Sequence, residues 1–158
     1  MKKTQLTNKQ KESIAQLLFD NNIEELKKLT SPPELHVVAA NWNWDDGCEL
    51  LTWIIRNPIC DRGTALLIYW HAGPGWQYQF LNRDEVPKHA RANYDLIKEI
   101  ETRYLSGFYT EASIAFDPSN DEKTDWTTMY AEISTKQEIP NQMRIPTSGI
   151  SIDRSFAL

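Results

Sequence analysis

A chain of 158 residues and 18.3 kDa, 41% hydrophobic and 25% charged, is long enough to bury one sizeable core and too apolar to remain disordered. Its formal net charge of −5 argues against nucleic acid as a partner, because phosphate binding needs a basic stripe. No apolar run approaches the roughly 18 residues that span a bilayer, and the basic opening "MKKTQLTNKQKES" has no apolar stretch behind it, so a cytoplasmic protein with no membrane partner is expected.

The first helix is expected after Thr7, a good cap, with Ile14, Leu17 and Leu18 at helical spacing until Asp20–Asn22 interrupts it. A short continuation through Ile23, Leu26 and Leu29 stops before Pro32. Ser31, Pro32 and Glu34 then form a cap, a first helical position and a third helical position, and Leu35, Val38, Ala39 and Trp42 make one apolar stripe. Asp46 and Glu49 have capping-box spacing for a further helix carrying Leu50, Leu51, Trp53, Ile54 and Ile55 and ending before Pro58. Asp61 offers the same cap to "RGTALLIYWHAG", where Gly73 and Pro74 make the stop.

Asn82 and Glu85 have the spacing of another capping box, and Pro87 fits only a first helical turn. Ala90, Tyr94, Ile97, Glu101, Tyr104 and Phe108 share one face of the longest helix, broadened by Ile100 and Leu105. "EASIAF" reads as an extension of that helix or as a short extended segment, ended by Asp117-Pro118. "EKTDWTTMYAEIS" is open between helix and strand. Pro140, Pro146 and Gly149 mark an irregular tail from which Ile139, Met143 and Ile145 fold back on the core. The fold class is therefore mainly α: a multi-helical domain of antiparallel helical hairpins over residues 1–158, with an irregular C-terminal tail.

The chain lacks a nucleophile elbow, a Walker loop and a dinucleotide fingerprint. Cys48 and Cys60 are twelve positions apart without a Cys-x-x-Cys pair and read as reduced, packed thiols. His36, His71 and His89 have no metal-site spacing; His71 suits a helix C-terminus and His36 a half-buried core position. The pairs Asp45-Asp46 and Asp84-Glu85 sit where acids start helices. No catalytic residue, metal ligand or cofactor is assigned. Trp42, Trp53 and Trp70 lie on apolar stripes, whereas Trp44, Trp76 and Trp126 stand in polar or turn contexts suited to exposure.

The charge is unevenly spread. Between Thr110 and Glu138 the acids are Glu111, Asp117, Asp121, Glu122, Asp125, Glu132 and Glu138, against only Lys123 and Lys136, so this stretch carries the whole net charge.

The run "NWNWDDGCELLTWIIRNPICDRGTALLIYWHAGP" resembles the signature of the bacterial domain of unknown function 4274 family. It does so through Asn43, Trp44, Asp45 and Gly47, then Pro58, Cys60, Asp61, Thr64, Ala65, Leu66, Tyr69 and Trp70, with weaker likeness from residue 30 to 149. The resemblance implies an immunity protein of a contact-dependent or secreted bacterial toxin system, binding rather than turning over a substrate. The partner is then a cognate toxin domain, basic in character, such as a nuclease. Its expected footprint is Asp117, Asp121, Glu122, Asp125 and Glu132, with Trp126, Tyr130 and Trp76 as aromatic anchors. The alternatives are a small hydrolase using Cys60 or the Asp45/Asp46 carboxylates, and a helical adaptor that holds a peptide.

Overall fold

A computed structural model describes residues 5–156; residues 1–4 of the basic opening and residues 157–158 lie outside the described residues. The fold is mainly α. Helices α1 (Asn8–Phe19), α2 (Ile23–Leu26), α3 (Pro32–Ala40), α4 (Glu49–Arg56), α5 (Arg62–His71), α6 (Pro74–Gln77) and α7 (Arg91–Leu105) follow one another. Among the described residues 3-10 turns lie between helices at Trp44–Asp46, Arg83–Glu85 and Lys88–Ala90, and a fourth, Asn141–Arg144, follows α7.

Three of the expected caps form as the sequence spells them. Thr7 makes a full capping box with Gln10, Ser31 accepts from the Glu34 amide, and Asp61 accepts from the Gly63 amide. Two others differ. Asp46 does not cap α4: it belongs to the Trp44–Asp46 turn, whose cap is Asn43, and Cys48 at the start of α4 makes no side-chain cap bond. Gly47 explains the difference. At φ +87° it turns the chain away from the helical direction between Asp46 and Glu49, so the acid and the helix it would cap are out of register. Asn82 likewise caps the Arg83–Glu85 turn, and the long helix begins later, at Arg91, without a side-chain cap. Ala90 and Phe108 therefore fall outside α7, which stops at Gly107 in the left-handed region (φ +82°).

α5 sits at the centre. Every residue from Gly63 to Trp70 is buried, so the helix is enclosed on all sides and packs most closely against α3 and α7 rather than against its chain neighbour α4. Burying Leu66, Leu67 and Ile68, all fully inaccessible, contributes about 2 kcal/mol each. α4 contributes Leu50, Leu51, Ile54 and Ile55, and α7 contributes Tyr94, Leu96, Ile97 and Ile100, to the same apolar cluster. Tyr69 of α5 donates to Glu101 of α7 at 2.6 Å, and Tyr78 donates to the same carboxylate oxygen, so a polar clamp ties the two helices beside the core.

Beyond α7 the chain is extended rather than helical. "EASIAF" forms isolated bridges, Ile114 with Ile150 in parallel and Phe116 with Thr147 antiparallel, while residues 122–133 form turns instead of either regular element. The Asp61 carboxylate holds this segment in place: beyond Gly63, it accepts from the amides of Ser113 (2.7 Å) and Ile114 (3.2 Å). Met143 folds onto the core as expected, and its carbonyl accepts from the Trp70 indole at 2.8 Å. Ile145 does not, remaining 60% exposed, because the Thr147 bridge to Phe116 carries the chain past the core at that point. Ile152 is buried instead, and the tail returns to the first helix through Lys11–Asp153 (2.6 Å) and Gln5 with Ser151 (2.7 Å) and Asp153 (2.9 Å). No described helix is long and apolar enough to cross a membrane.

The Asp61 junction has no room to spare. A Cβ on Gly63 would lie 2.2 Å from the Ile114 carbonyl oxygen, a backbone atom that cannot swing aside. Gly63→Ala is expected to cost about 3 kcal/mol in urea unfolding at pH 7. Asp61→Asn keeps the side-chain size but turns one acceptor into a donor, and should cost about 2 kcal/mol in the same measurement.

Candidate functional site

The C-terminal end of α5 opens into a cleft of about 320 Å³ lined by Trp44, His71, Ala72, Gly73, Trp76, Gln77, His89, Ala90, Asn93 and Tyr130. Local folding explains each wall. The Asn43 side chain accepts from the Asp45 amide and closes the turn that carries Trp44, while the Trp42 indole pins the following Gly47 carbonyl at 2.9 Å. Gly73, at φ +81°, lets the chain reverse straight from α5 into α6, which brings Trp76 and Gln77 to the floor and side. Tyr130 lies over Gly75, where an added Cβ would be 3.3 Å from its ring.

Gln77 is the anomaly in this cleft. It is 2% exposed, and its Nε2 donates to the Ala90 carbonyl at 3.1 Å. A carbonyl only accepts, so the amide orientation is set and Oε1 is the other end. That Oε1 is buried without a hydrogen-bond partner among the described residues. A buried unpaired acceptor costs about 1–3 kcal/mol, which singles this one out.

Behind the cleft lies a knot of polar groups that the sequence did not reveal. The Asp121 carboxylate accepts from His71 Nε2 (2.8 Å) and the Trp126 indole (2.8 Å) on one oxygen and from Arg154 (2.6 Å) on the other. Burial alone would raise this carboxyl, but the His71 and Trp126 hydrogen bonds and the Arg154 charge prevail and hold it down at about 2. The Trp126 ring lies 4.8 Å from that of His71. His71 therefore does not serve the last helical carbonyls; it forms the wall between the cleft and Asp121. Deeper in, His36 Nδ1 shares a 2.8 Å hydrogen bond with Thr64 Oγ1. His36 is fully buried rather than half-buried, and burial, reinforced by Arg154, depresses it to about 3.

The expected footprint is thus split. Trp76 and Tyr130 meet in the cleft with Trp44 from the signature. Asp117, Asp121 and Glu122 line a separate recess of about 200 Å³ with His36 and Arg154. Asp121 is only 8% exposed and pairs with Arg154, whereas Glu122 shares that guanidinium at 3.1 Å from an exposed position. Asp117 accepts from the amide and hydroxyl of Ser119, and Asp125 from those of Thr127. Asp125 and Glu132 are exposed, and Trp126 is half-buried rather than exposed because its indole serves Asp121. Trp44 and Trp76 are half-buried too, as is Trp53, whereas Trp42 and Trp70 are core.

The chemical candidates fare differently. Cys60 is fully buried, and burial beside Asp61 pushes its thiol far up, which deprives it of the thiolate a nucleophile needs. Asp45 and Asp46 are exposed on their turn. Among the described residues no group of three or more His, Cys, Asp or Glu side chains is placed to hold a metal ion. A larger surface recess, about 440 Å³, lies at the other end of α5, where the Arg62 guanidinium sits 5.7 Å from the Tyr104 ring centre. It contains none of the expected residues and no orphaned polar atom, so the cleft at the C-terminal end is the better candidate despite its smaller size.

The class of molecule so defined is a mainly helical domain whose signature residues build caps, core and one aromatic cleft wall. Residues 30–105 match the model of a family described as a domain of unknown function (DUF4274), to which this part of the chain is similar. No curated protein and no solved structure matches the chain. The matched segment supplies His36, Trp44, Thr64, His71, Trp76 and Gln77, whereas Asp121, Trp126, Tyr130 and Arg154 come from outside it.

His36 makes the knot sensitive to acid. An ordinary histidine in the unfolded chain takes up its proton near pH 6.5, but the folded one resists until about pH 3, so its contribution is present above pH 6.5 and lost as pH falls toward 3. Between pH 7 and 5 this removes about 2 kcal/mol. Urea unfolding of the protein and of His36→Gln at both pH values is expected to show that loss in the former and not in the latter.

Proposed function

We propose that the protein acts by binding a partner protein, as an immunity protein that neutralises a cognate toxin domain of a bacterial contact-dependent or secreted toxin system. The observation that carries this reading is a surface. Asp125, Glu132 and Glu138 are exposed, form no ion pair among the described residues, and belong to a helix-free stretch whose Tyr130 lines the aromatic cleft. Met129, 41% exposed, adds an adaptable apolar side chain to the same stretch.

Unpaired acids beside half-buried aromatic rings suit a basic partner. The charge steers the encounter, and the rings and Met129 supply the desolvated contact that slows dissociation. The footprint supported here is narrower than the sequence alone suggests, because Asp121 and Glu122 are engaged by Arg154. Asp125, Glu132 and Glu138 take the steering role, with Trp76 and Tyr130 as anchors. For the hydrolase alternative, burial of Cys60 disfavours the thiolate it would use, and Asp45 and Asp46 are exposed on their turn.

Combining Asp125→Asn, Glu132→Gln and Glu138→Gln should slow association with a basic toxin domain encoded beside this gene by about tenfold at low ionic strength and flatten its salt dependence. Dissociation should change little. Stopped-flow measurements at two salt concentrations check this, and an unaltered rate and salt slope would remove the proposed surface.

A further inference from the structure

We infer that the cleft at the C-terminal end of α5 receives a cationic head, the ammonium or guanidinium of a lysine or arginine side chain on the partner protein; this rests on the protein-binding reading above. Four features of the cleft select that chemistry. Gln77, which lines the cleft, has a buried Oε1 without a donor among the described residues, so an N–H-bearing guest that reached it would gain a bond that a hydrocarbon guest cannot make. Trp44, Trp76 and Tyr130 offer aromatic rings, whose faces attract a cation. Ala72 and Gly73 stand at the end of α5, where the ten-residue helix carries the negative end of its dipole.

The fourth feature is what the walls lack. No lysine or arginine lines the cleft, and its inner wall, His71, is hydrogen-bonded to the Asp121 carboxylate. An anionic guest would therefore meet the negative end of the α5 dipole with no lysine or arginine in the walls to answer it. A neutral apolar guest would leave Oε1 unpaired. The exposed acids Asp125 and Glu132, on the same helix-free stretch as Tyr130, add attraction for a positive group at longer range.

The test needs no toxin. Titrating the ¹⁵N-labelled full chain with n-butylguanidinium or n-butylammonium, and in parallel with neutral 1-pentanol and anionic valerate, reads the cleft directly through the Trp44 and Trp76 indole N–H and Gln77 side-chain amide signals. Heads of this size bind in roughly the millimolar range. Saturable shifts at those three groups, with Trp53 unmoved and the cations binding about tenfold more tightly than pentanol, are expected. Trp76→Ala and Gln77→Leu should each weaken cation binding about fivefold. Equal binding of pentanol, preference for valerate, or no saturable shift with any cation would overturn the inference, and this comparison within the unaltered protein stands even if a variant fails to fold. Cation binding without toxin binding would overturn the immunity reading alone. Toxin binding without cation binding would leave that reading and remove the cleft from it.

Discussion

The structure depends on one buried carboxylate. Asp61 begins the central helix, and its two oxygens accept three backbone amides, one from its own helix and two from a segment more than fifty residues further on. Helix capping and tertiary attachment are here the same interaction. Because the extended segment is fixed at the start of α5, the acidic stretch that follows is laid along the core toward the helix's other end, where it meets His71 and the cleft. The Arg62 amide, bonded to the Glu111 carbonyl at 2.8 Å, and the tight approach over Gly63 make this attachment rigid as well as strong.

At the far end of α5 the problem is different, because charges rather than amides must be reconciled with burial. Asp121 and Arg154 are nearly inaccessible, and such a pair is tolerated only when the remaining hydrogen-bonding capacity is used. His71 and the Trp126 indole use it. The same arrangement buries Asp121 and sets the Arg154 charge against it and Glu122, so a local count of charge in the sequence overstates the field that a partner would meet by about one charge. What remains outside is a smaller set of exposed acids on the helix-free stretch that also carries Tyr130 to the cleft.

Much of the helical framework was legible because it rests on short-range rules. Thr7 with Gln10, Ser31 with Glu34, and Asp61 with Gly63 each lie within three residues, and the stripes of α4 and α7 repeat at helical spacing. The Asp46 cap misled because its spacing was right and the backbone at Gly47 was not. The polar knot was invisible for another reason: Thr64 lies 28 residues from His36, Asp121 50 from His71, and Arg154 33 from Asp121, and no periodicity connects them. Of the cleft, Trp44 and Trp76 read as large rings in polar or turn contexts and Tyr130 as an aromatic anchor of the acidic stretch, but Gln77 carries no signal in the sequence, since an unpaired amide oxygen is a property of the packed state alone.

The return of the tail to α1 also bears on the topology of the chain. Gln5 exchanges hydrogen bonds with Ser151 and Asp153, and Lys11 reaches Asp153, so the backbone near residue 5 and the backbone near residue 153 run side by side. A covalent cross-link between these two segments would close the polypeptide between them into a ring without moving either. Such a link would take conformational freedom from the denatured ensemble while leaving the folded state as it is.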